Sequence, residues 1–243
     1  MPPWPSTSAV TRSRDLVGTT EMEFLGDVWD YLETNGESVL ESLAQHVWLA
    51  LLPVAIAFVL SLPLGWMVVR FGWARHPLLT ASSIVYTIPS LALLLLLPGV
   101  IGTGILDPIN VVIALTLYSL ALLVRTTADG LASVEPQAIQ AAVAMGYTPL
   151  RRWFSVELPL SLPVVLAGLR VATVANISMV TVSALIGINS LGQLFTRGFQ
   201  LGFYTPPIVI GLVLSVLLAL CADLMIVLTQ RALTPWARAG VSR

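Results

Sequence analysis

Lysine is absent from this sequence of 243 residues, and all 12 of its basic residues are arginine. A phosphate-binding loop and a Schiff base both require lysine, so neither is present. The lone cysteine, Cys221, excludes a disulfide framework and a cysteine-based metal site. His46 and His76 lie far apart and form no HExxH motif. Paired carboxylates are also missing from the apolar segments, which disfavours an intramembrane enzyme.

Charge is scarce as well, at 10% of residues against about 25% in a soluble domain. Hydrophobic residues make up 56% of the chain. A bilayer core requires about 20 apolar residues per helix. The composition therefore predicts an all-α integral membrane protein with about five transmembrane helices. The predicted spans are roughly His46–Val69, Leu78–Val100, Pro108–Val124, Leu160–Ile188 and Pro206–Leu228.

The arginines of the short loops are unevenly divided between the two sides of the predicted membrane. One side holds the loops after the first and third spans and the C-terminal tail, and it carries most of the arginines. The other side holds Asp107 and, in its short loops, only Arg197. Positive loops face the cytoplasm, so we expect the N-terminus outside and the C-terminus in the cytoplasm. The cytoplasmic arginines are Arg70, Arg75, Arg125, Arg151, Arg152, Arg231, Arg238 and Arg243.

The two ends of the chain are expected to lie outside the spans. Residues 1–20 are rich in Pro, Ser and Thr and predict a flexible tail. Residues 21–45 alternate apolar and acidic side chains at near-helical spacing, interrupted at Asn35-Gly36. They predict one or two amphipathic lead-in helices on the membrane surface, or simply a lead-in to the first span. Residues 46–230 form the membrane domain, and 231–243 a cytoplasmic tail.

The cytoplasmic loop 130–159 has its own predicted structure. Pro136 begins a short helix that runs to Met145, and Gly146 is the residue type that ends a helix in a left-handed conformation. Thr148 caps a second short helix, with Pro149 at its first position. Aromatic and apolar residues of this loop could contact a partner or lie at the lipid headgroups. They are Tyr147, Leu150, Trp153 and Phe154.

The spacing within this loop resembles the EAA loop of permease subunits of ATP-binding-cassette (ABC) importers. The matching residues are Gln140-Ala141-Ala142, Gly146, Val156 and Leu158-Pro159. Gln140 stands where the family has Glu, so a charge-specific contact at this position is not expected. The stretches 86–104, 157–178 and 184–200 resemble the branch of these importers that takes up osmoprotectants.

The resemblance implies that the chain is a type I ABC importer permease of the bacterial inner membrane. The solute that it implies is a quaternary-ammonium compound such as glycine betaine, proline betaine, choline or carnitine. It implies two ATPase subunits that bind ATP and Mg²⁺, a second permease subunit, identical or paralogous, and an extracytoplasmic substrate-binding protein. It also implies that lipid surrounds the chain and that the chain itself binds no nucleic acid and no cofactor. A permease for another small solute, such as an amino acid, is the alternative. The residues implied in docking are Gln140, Ala141, Ala142, Gly146, Tyr147, Leu150, Leu158 and Pro159.

Polar residues inside the fourth span are candidates for the translocation pathway or its gate. Arg170, Thr173, Asn176 and Thr181 share one side of the predicted helix. Such residues face a cavity or hydrogen-bond a neighbouring helix. Asp223 lies at a comparable depth on the fifth span, so we predict an Arg170–Asp223 pair, with carbonyl bonding or snorkelling of Arg170 as alternatives.

The second span carries a further candidate gate at Pro89, which should kink the helix beside a polar stripe containing Ser90. Tyr86 in this stripe could offer its ring to a quaternary ammonium. Tyr118 on the third span is a weaker candidate of the same kind.

Overall fold

The structure is a computed structural model that describes the backbone of residues 7–236 and the side chains of residues 23–236. Its first element, α1, is one helix over Thr7–Arg70. The first six residues of the predicted tail lie outside the described residues, and from Thr7 onward the tail is helical instead of irregular. The predicted interruption at Asn35-Gly36 is wrong, because the helix continues through both residues.

Local bonds and packing explain why α1 is continuous. The Asn35 side chain donates to the carbonyl of Tyr31 at 3.2 Å, one turn earlier, so it supports the helix instead of ending it. Tyr31 and Val39 are buried against Leu191 and Ile210 further along the chain. This apolar face holds the lead-in residues in register with the rest of the helix, overriding the weak helix propensity of Asn and Gly.

The second apolar segment is broken, not merely kinked. Helix α2 covers Gly72–Thr87 and helix α3 covers Ser90–Ile101, and the two are bent by 105°. Ile88, between them, is extended with ψ 129°. A residue before proline is pushed out of the helical region, so Pro89 both ends α2 and redirects the chain. The predicted single span 78–100 with a kink at Pro89 is therefore corrected to two helices that meet at a sharp bend.

Helix α4, Pro108–Ala132, lies at the centre of the fold. The Asp107 carboxylate accepts from the backbone N–H of Ile109 at 3.0 Å and caps its first turn. Glycines on both neighbours allow close approach: a Cβ at Gly65 of α1 would lie 2.5 Å from the Thr127 side chain. A Cβ at Gly168 would lie 2.5 Å from the Thr126 hydroxyl. Small residues serve this purpose between membrane helices.

The loop after α4 contains two short helices, and the second of them runs without a break into the next long helix. Helix α5 covers Pro136–Ala144 and α6 covers Pro149–Arg152. A π-helical turn, Trp153–Glu157, joins α6 to α7, Leu158–Ser183. A 3₁₀ turn at Ala184–Ile186 follows.

The last two helices pack beside α1. Helix α8 covers Gly192–Gln200 and α9 covers Thr205–Leu233. His46 is fully buried; its Nε2 lies 3.0 Å from the Ile177 carbonyl, and its Nδ1 accepts from the N–H of Leu191 at 3.3 Å. This arrangement requires a neutral imidazole with the proton on Nε2. One side chain thereby joins α1 to α7 and to the turn before α8.

The apolar surface of the fold indicates that it is surrounded by lipid. Large apolar side chains are exposed along α9, among them Leu220 at 60% and Met225 at 68%. Within the described residues, 4 helices are long and apolar enough to cross a membrane, or 5 if the bent pair forms one span. The expectation of an all-α membrane protein with about five spans is confirmed.

Candidate functional site

The loop between α4 and α7 is a compact helical hairpin turned by Gly146. The N–H of Gly146 donates to Val143 at 2.9 Å, and that of Tyr147 donates to Ala142 at 3.1 Å. These two bonds form a Schellman motif, and Gly146 is left-handed with φ 78°. The Thr148 hydroxyl accepts from the N–H of Arg151, so this residue caps α6 as predicted. Nothing lies within 4 Å of a Cβ built at Gly146.

The predicted docking residues are presented in different ways by this hairpin. Gln140, Ala141, Gly146 and Leu150 are exposed, whereas Ala142 is 1% exposed and packs inward. Tyr147, Leu158 and Pro159 are half-buried. The sequence did not single out Val143 and Met145, which add 53% and 67% exposed apolar side chains to the same hairpin.

Trp153 was expected among the exposed contact residues, and this prediction is wrong. Trp153 is 8% exposed, and its ring centroid lies 6.0 Å from that of Trp66 of α1 in a tilted pair and 4.3 Å from that of Phe154 in a T-shaped pair. Next to it, the Arg152 Nε donates to the Glu157 carboxylate at 2.5 Å, so the ion pair spans the π-helical turn. Through these contacts the turn connects the hairpin to both α1 and α7.

Arg170 and Asp223 form the predicted pair. The Arg170 Nε donates to one carboxylate oxygen at 2.6 Å and Nη2 to the other at 2.8 Å. This fork geometry is the strong form of a guanidinium–carboxylate contact. It joins α7 to α9 on a face that leaves the two side chains 39% and 29% exposed.

The other polar residues of α7 mostly serve the packing of helices. Asn176 accepts from the Ser119 hydroxyl at 3.0 Å and donates to Ala50 at 3.4 Å, and it is 2% exposed. Thr173 is equally buried and donates to Leu169 one turn earlier. Hydrogen bonding within the protomer, one of the two alternatives, therefore describes Thr173 and Asn176. Thr181 is half-exposed and donates to Ser178.

The break at Pro89 is tied to α4 by a tyrosine. The Tyr118 hydroxyl donates to the Ile88 carbonyl, satisfying an acceptor left free where α2 ends. The ring of Tyr86 meets that of Tyr118 at 6.3 Å in a T-shaped pair. The two aromatic candidates, Tyr86 and Tyr118, are thus in contact, although they are far apart in the sequence. Pro89 is exposed and Ser90 half-buried at the bend itself.

A groove of about 340 Å³ lies beside this tyrosine pair, between α2 and α4. Its polar end contains Arg125, whose Nη2 donates to the Ser83 hydroxyl at 3.1 Å. Arg125 was predicted to lie in a loop, but α4 continues seven residues beyond it. Among the described residues no cluster of His, Cys, Asp or Glu could hold a metal ion.

The chain belongs to the family described as binding-protein-dependent transport system inner membrane component, whose model matches residues 57–235. Its members are permease subunits of ABC importers. The chain is therefore a multi-pass inner-membrane permease that works with a separate ATPase and a substrate-binding protein. ATP hydrolysis is the task of the ATPase.

Individual relatives cover nearly the whole chain. It is 34% identical to the glycine betaine/carnitine/choline transport system permease protein OpuCD of Bacillus subtilis, over 88% of this chain and 92% of the relative. It is 36% identical to the osmoprotectant import permease protein OsmW of Salmonella typhimurium, over 86% of this chain and 98% of the relative.

Solved structures share the fold at lower identity. A chain of the MetNI methionine ABC transporter, in an inward-facing conformation, superposes with a TM-score of 0.74 at 19% identity, covering 83% of this chain and 99% of that one. A chain of an amino acid ABC transporter solved with histidines gives 0.70 at 19% identity, over 83% and 96%. These similarities confirm the ABC importer permease fold.

Proposed function

We propose that this chain is the permease of an importer for a quaternary-ammonium osmoprotectant such as glycine betaine, proline betaine, choline or carnitine. The observation that carries the proposal is the similarity over most of the chain to permeases named for these solutes. An amino acid is the alternative solute, because solved structures with the same fold are named for amino acids. Their identity to this chain is only 19 to 20%.

The proposed assembly contains two permeases, identical or paralogous, two ATPases that bind ATP and Mg²⁺, and an extracytoplasmic binding protein. The chain itself needs no cofactor. Its N-terminus lies outside and its C-terminus in the cytoplasm, as the arginine distribution favours. The helical hairpin of loop 130–159 docks on the ATPase, since it presents exposed apolar side chains, including Met145 and Leu150, on a rigid turn.

Uptake separates the two classes of solute. Cells that lack their own osmoprotectant importers receive this permease with its ATPase and binding protein, and labelled glycine betaine, choline, methionine and histidine are offered in turn. We expect uptake of a quaternary-ammonium solute and none of the amino acids. Uptake of methionine or histidine alone would contradict the proposal and support the alternative.

Docking is tested at Gly146. Gly146→Asp places a charge and a strained left-handed residue on the docking face. Because nothing packs on this position within the protomer, we expect normal membrane insertion, loss of ATPase copurification and loss of uptake. Gly26→Asp, at another position open to a Cβ, is the matched control. A Gly146→Asp permease that still retains the ATPase and transports would overturn the docking role.

A further inference from the structure

The groove between α2 and α4 has two chemically different ends. Ser82, Ser83 and Thr87 of α2 and Arg125 of α4 give it hydroxyls and a guanidinium, and Tyr86 gives it an aromatic ring. Its volume of about 340 Å³ falls within the range of about 300–1,000 Å³ of small-molecule sites.

Arg125 is a cation in a membrane helix and has no anionic partner among the side chains that the structure describes. It is exposed, and its one hydrogen bond is to the neutral Ser83 hydroxyl. No carboxylate of the described side chains lies within ion-pair distance of it, not even Asp129 one turn further along α4. Arg170, by contrast, is neutralised by both oxygens of Asp223. An ionised side chain in a span marks a site of function, and the unused donors of Arg125 suit a carboxylate.

The opposite end of the groove suits a soft cation. Tyr118 and Arg125 are seven residues apart, so they share a face of α4 and lie about 10 Å apart along its axis. Tyr86 lines the groove and is 52% exposed, and its ring makes a T-shaped contact with that of Tyr118, which is itself only 4% exposed. The hydrogen bond to Ile88 holds the Tyr118 ring in place. Aromatic faces attract quaternary ammonium groups.

We propose that this groove receives a zwitterionic betaine during translocation, with its carboxylate on Arg125 and its quaternary ammonium against the ring of Tyr86. The inference rests on the proposed osmoprotectant function and narrows it. Solutes that carry both groups, such as glycine betaine and carnitine, are favoured over choline, which has a hydroxyl where they have a carboxylate. Placed near Arg125 without that carboxylate, choline meets only like-charge repulsion.

The test uses the complete transporter in proteoliposomes, with saturating loaded binding protein, so that uptake rates report the permease. Glycine betaine and choline uptake and ATP hydrolysis are measured for the wild type, Arg125→Gln and Arg125→Lys. We expect Arg125→Gln to slow glycine betaine uptake about tenfold or more, while choline uptake is unchanged or faster. Arg125→Lys keeps the charge and should retain part of the betaine rate. Arg75→Gln, which removes an exposed arginine of α2 away from the groove, should affect both solutes alike.

The aromatic end is tested with the same solutes. Tyr86→Leu removes the ring and should slow both of them, whereas Tyr86→Phe retains the ring and should resemble the wild type. Equal loss of both solutes in Arg125→Gln, or no loss of either, would overturn the site. Wild-type uptake of choline with exclusion of glycine betaine would overturn it too, while leaving the osmoprotectant function intact. Uptake of neither solute by the wild type would instead contradict the proposed function.

Discussion

Arg170 and Asp223 compensate each other's charge inside an apolar layer. Removal of one partner leaves an uncompensated charge in the membrane region, and removal of both leaves none. We therefore expect Arg170→Met and Asp223→Leu each to lower the melting temperature of the detergent-solubilised permease. The double variant should lose less than the sum of the two. Additive losses would show that the contact does not couple the two side chains.

Among the glycines that the structure describes, Gly192 is the one at which an added Cβ would come closest to another atom. A Cβ there would lie 2.1 Å from the Thr181 carbonyl oxygen and 2.8 Å from the Ala184 Cβ. Because the nearest atom is backbone, Gly192→Ala should destabilise the permease by about 1–3 kcal/mol or more, seen as a lower melting temperature. Gly99→Ala, with nothing within 4 Å, is the control and should be neutral or stabilising. Equal melting temperatures would contradict the tight turn.

The sequence predicted the position and contacts of some candidate site residues correctly and those of others wrongly. Arg170 and Asp223 were predicted as a pair because two opposite charges at one depth have few other partners. Arg125 was missed as a groove residue because hydropathy placed the end of its span at Val124. The helix continues because Thr127 packs on Gly65 and Ala128 joins an apolar cluster, which are contacts between distant segments.

At the scale of elements, the π-helical turn Trp153–Glu157 lies between the helical hairpin of loop 130–159 and α7. The Arg152–Glu157 ion pair spans it, and Trp153 packs on α1. A π turn is uncommon and is found often at functional sites. We infer that this turn transmits movement of the hairpin to the spans.

Removal of that ion pair should therefore uncouple the transporter. Arg152→Gln and Glu157→Gln are expected to retain ATPase binding, while solute transported per ATP hydrolysed falls severalfold. Both rates are measured in the same proteoliposomes. The charge-reversed pair Arg152→Glu with Glu157→Arg should restore part of the ratio. An unchanged ratio in the single variants would assign the ion pair to stability alone.

The helical breaks show why proline positions cannot be interpreted singly. Pro53 and Pro63 lie inside α1 without ending it, whereas Pro89 separates α2 from α3 by 105°. At the break the Ile88 carbonyl accepts a hydrogen bond from Tyr118 of α4. That tertiary bond stabilises the sharp bend, and a single sequence does not reveal it.

At the scale of the whole molecule, we expect the orientation in the membrane to follow from the distribution of arginines. In a Cys221→Ser background, Ile105→Cys and Gln137→Cys place one thiol on each side, both at exposed residues between long helices. With the N-terminus outside, a membrane-impermeant maleimide should label Ile105→Cys in intact spheroplasts and Gln137→Cys only after permeabilisation. The reverse pattern would require an inverted topology.

The native Cys221 can itself determine the pairing of permeases. It is exposed on α9, and the chain has no other cysteine. A nitroxide spin label attached there gives two electron spins in a complex of identical chains and a single one in a complex with a cysteine-free paralogue. Pulsed dipolar spectroscopy of the labelled transporter then reports one symmetric distance or no dipolar modulation. Because the chain has a single cysteine, it can be labelled without any substitution, and the number of copies of this permease in the transporter can be measured directly.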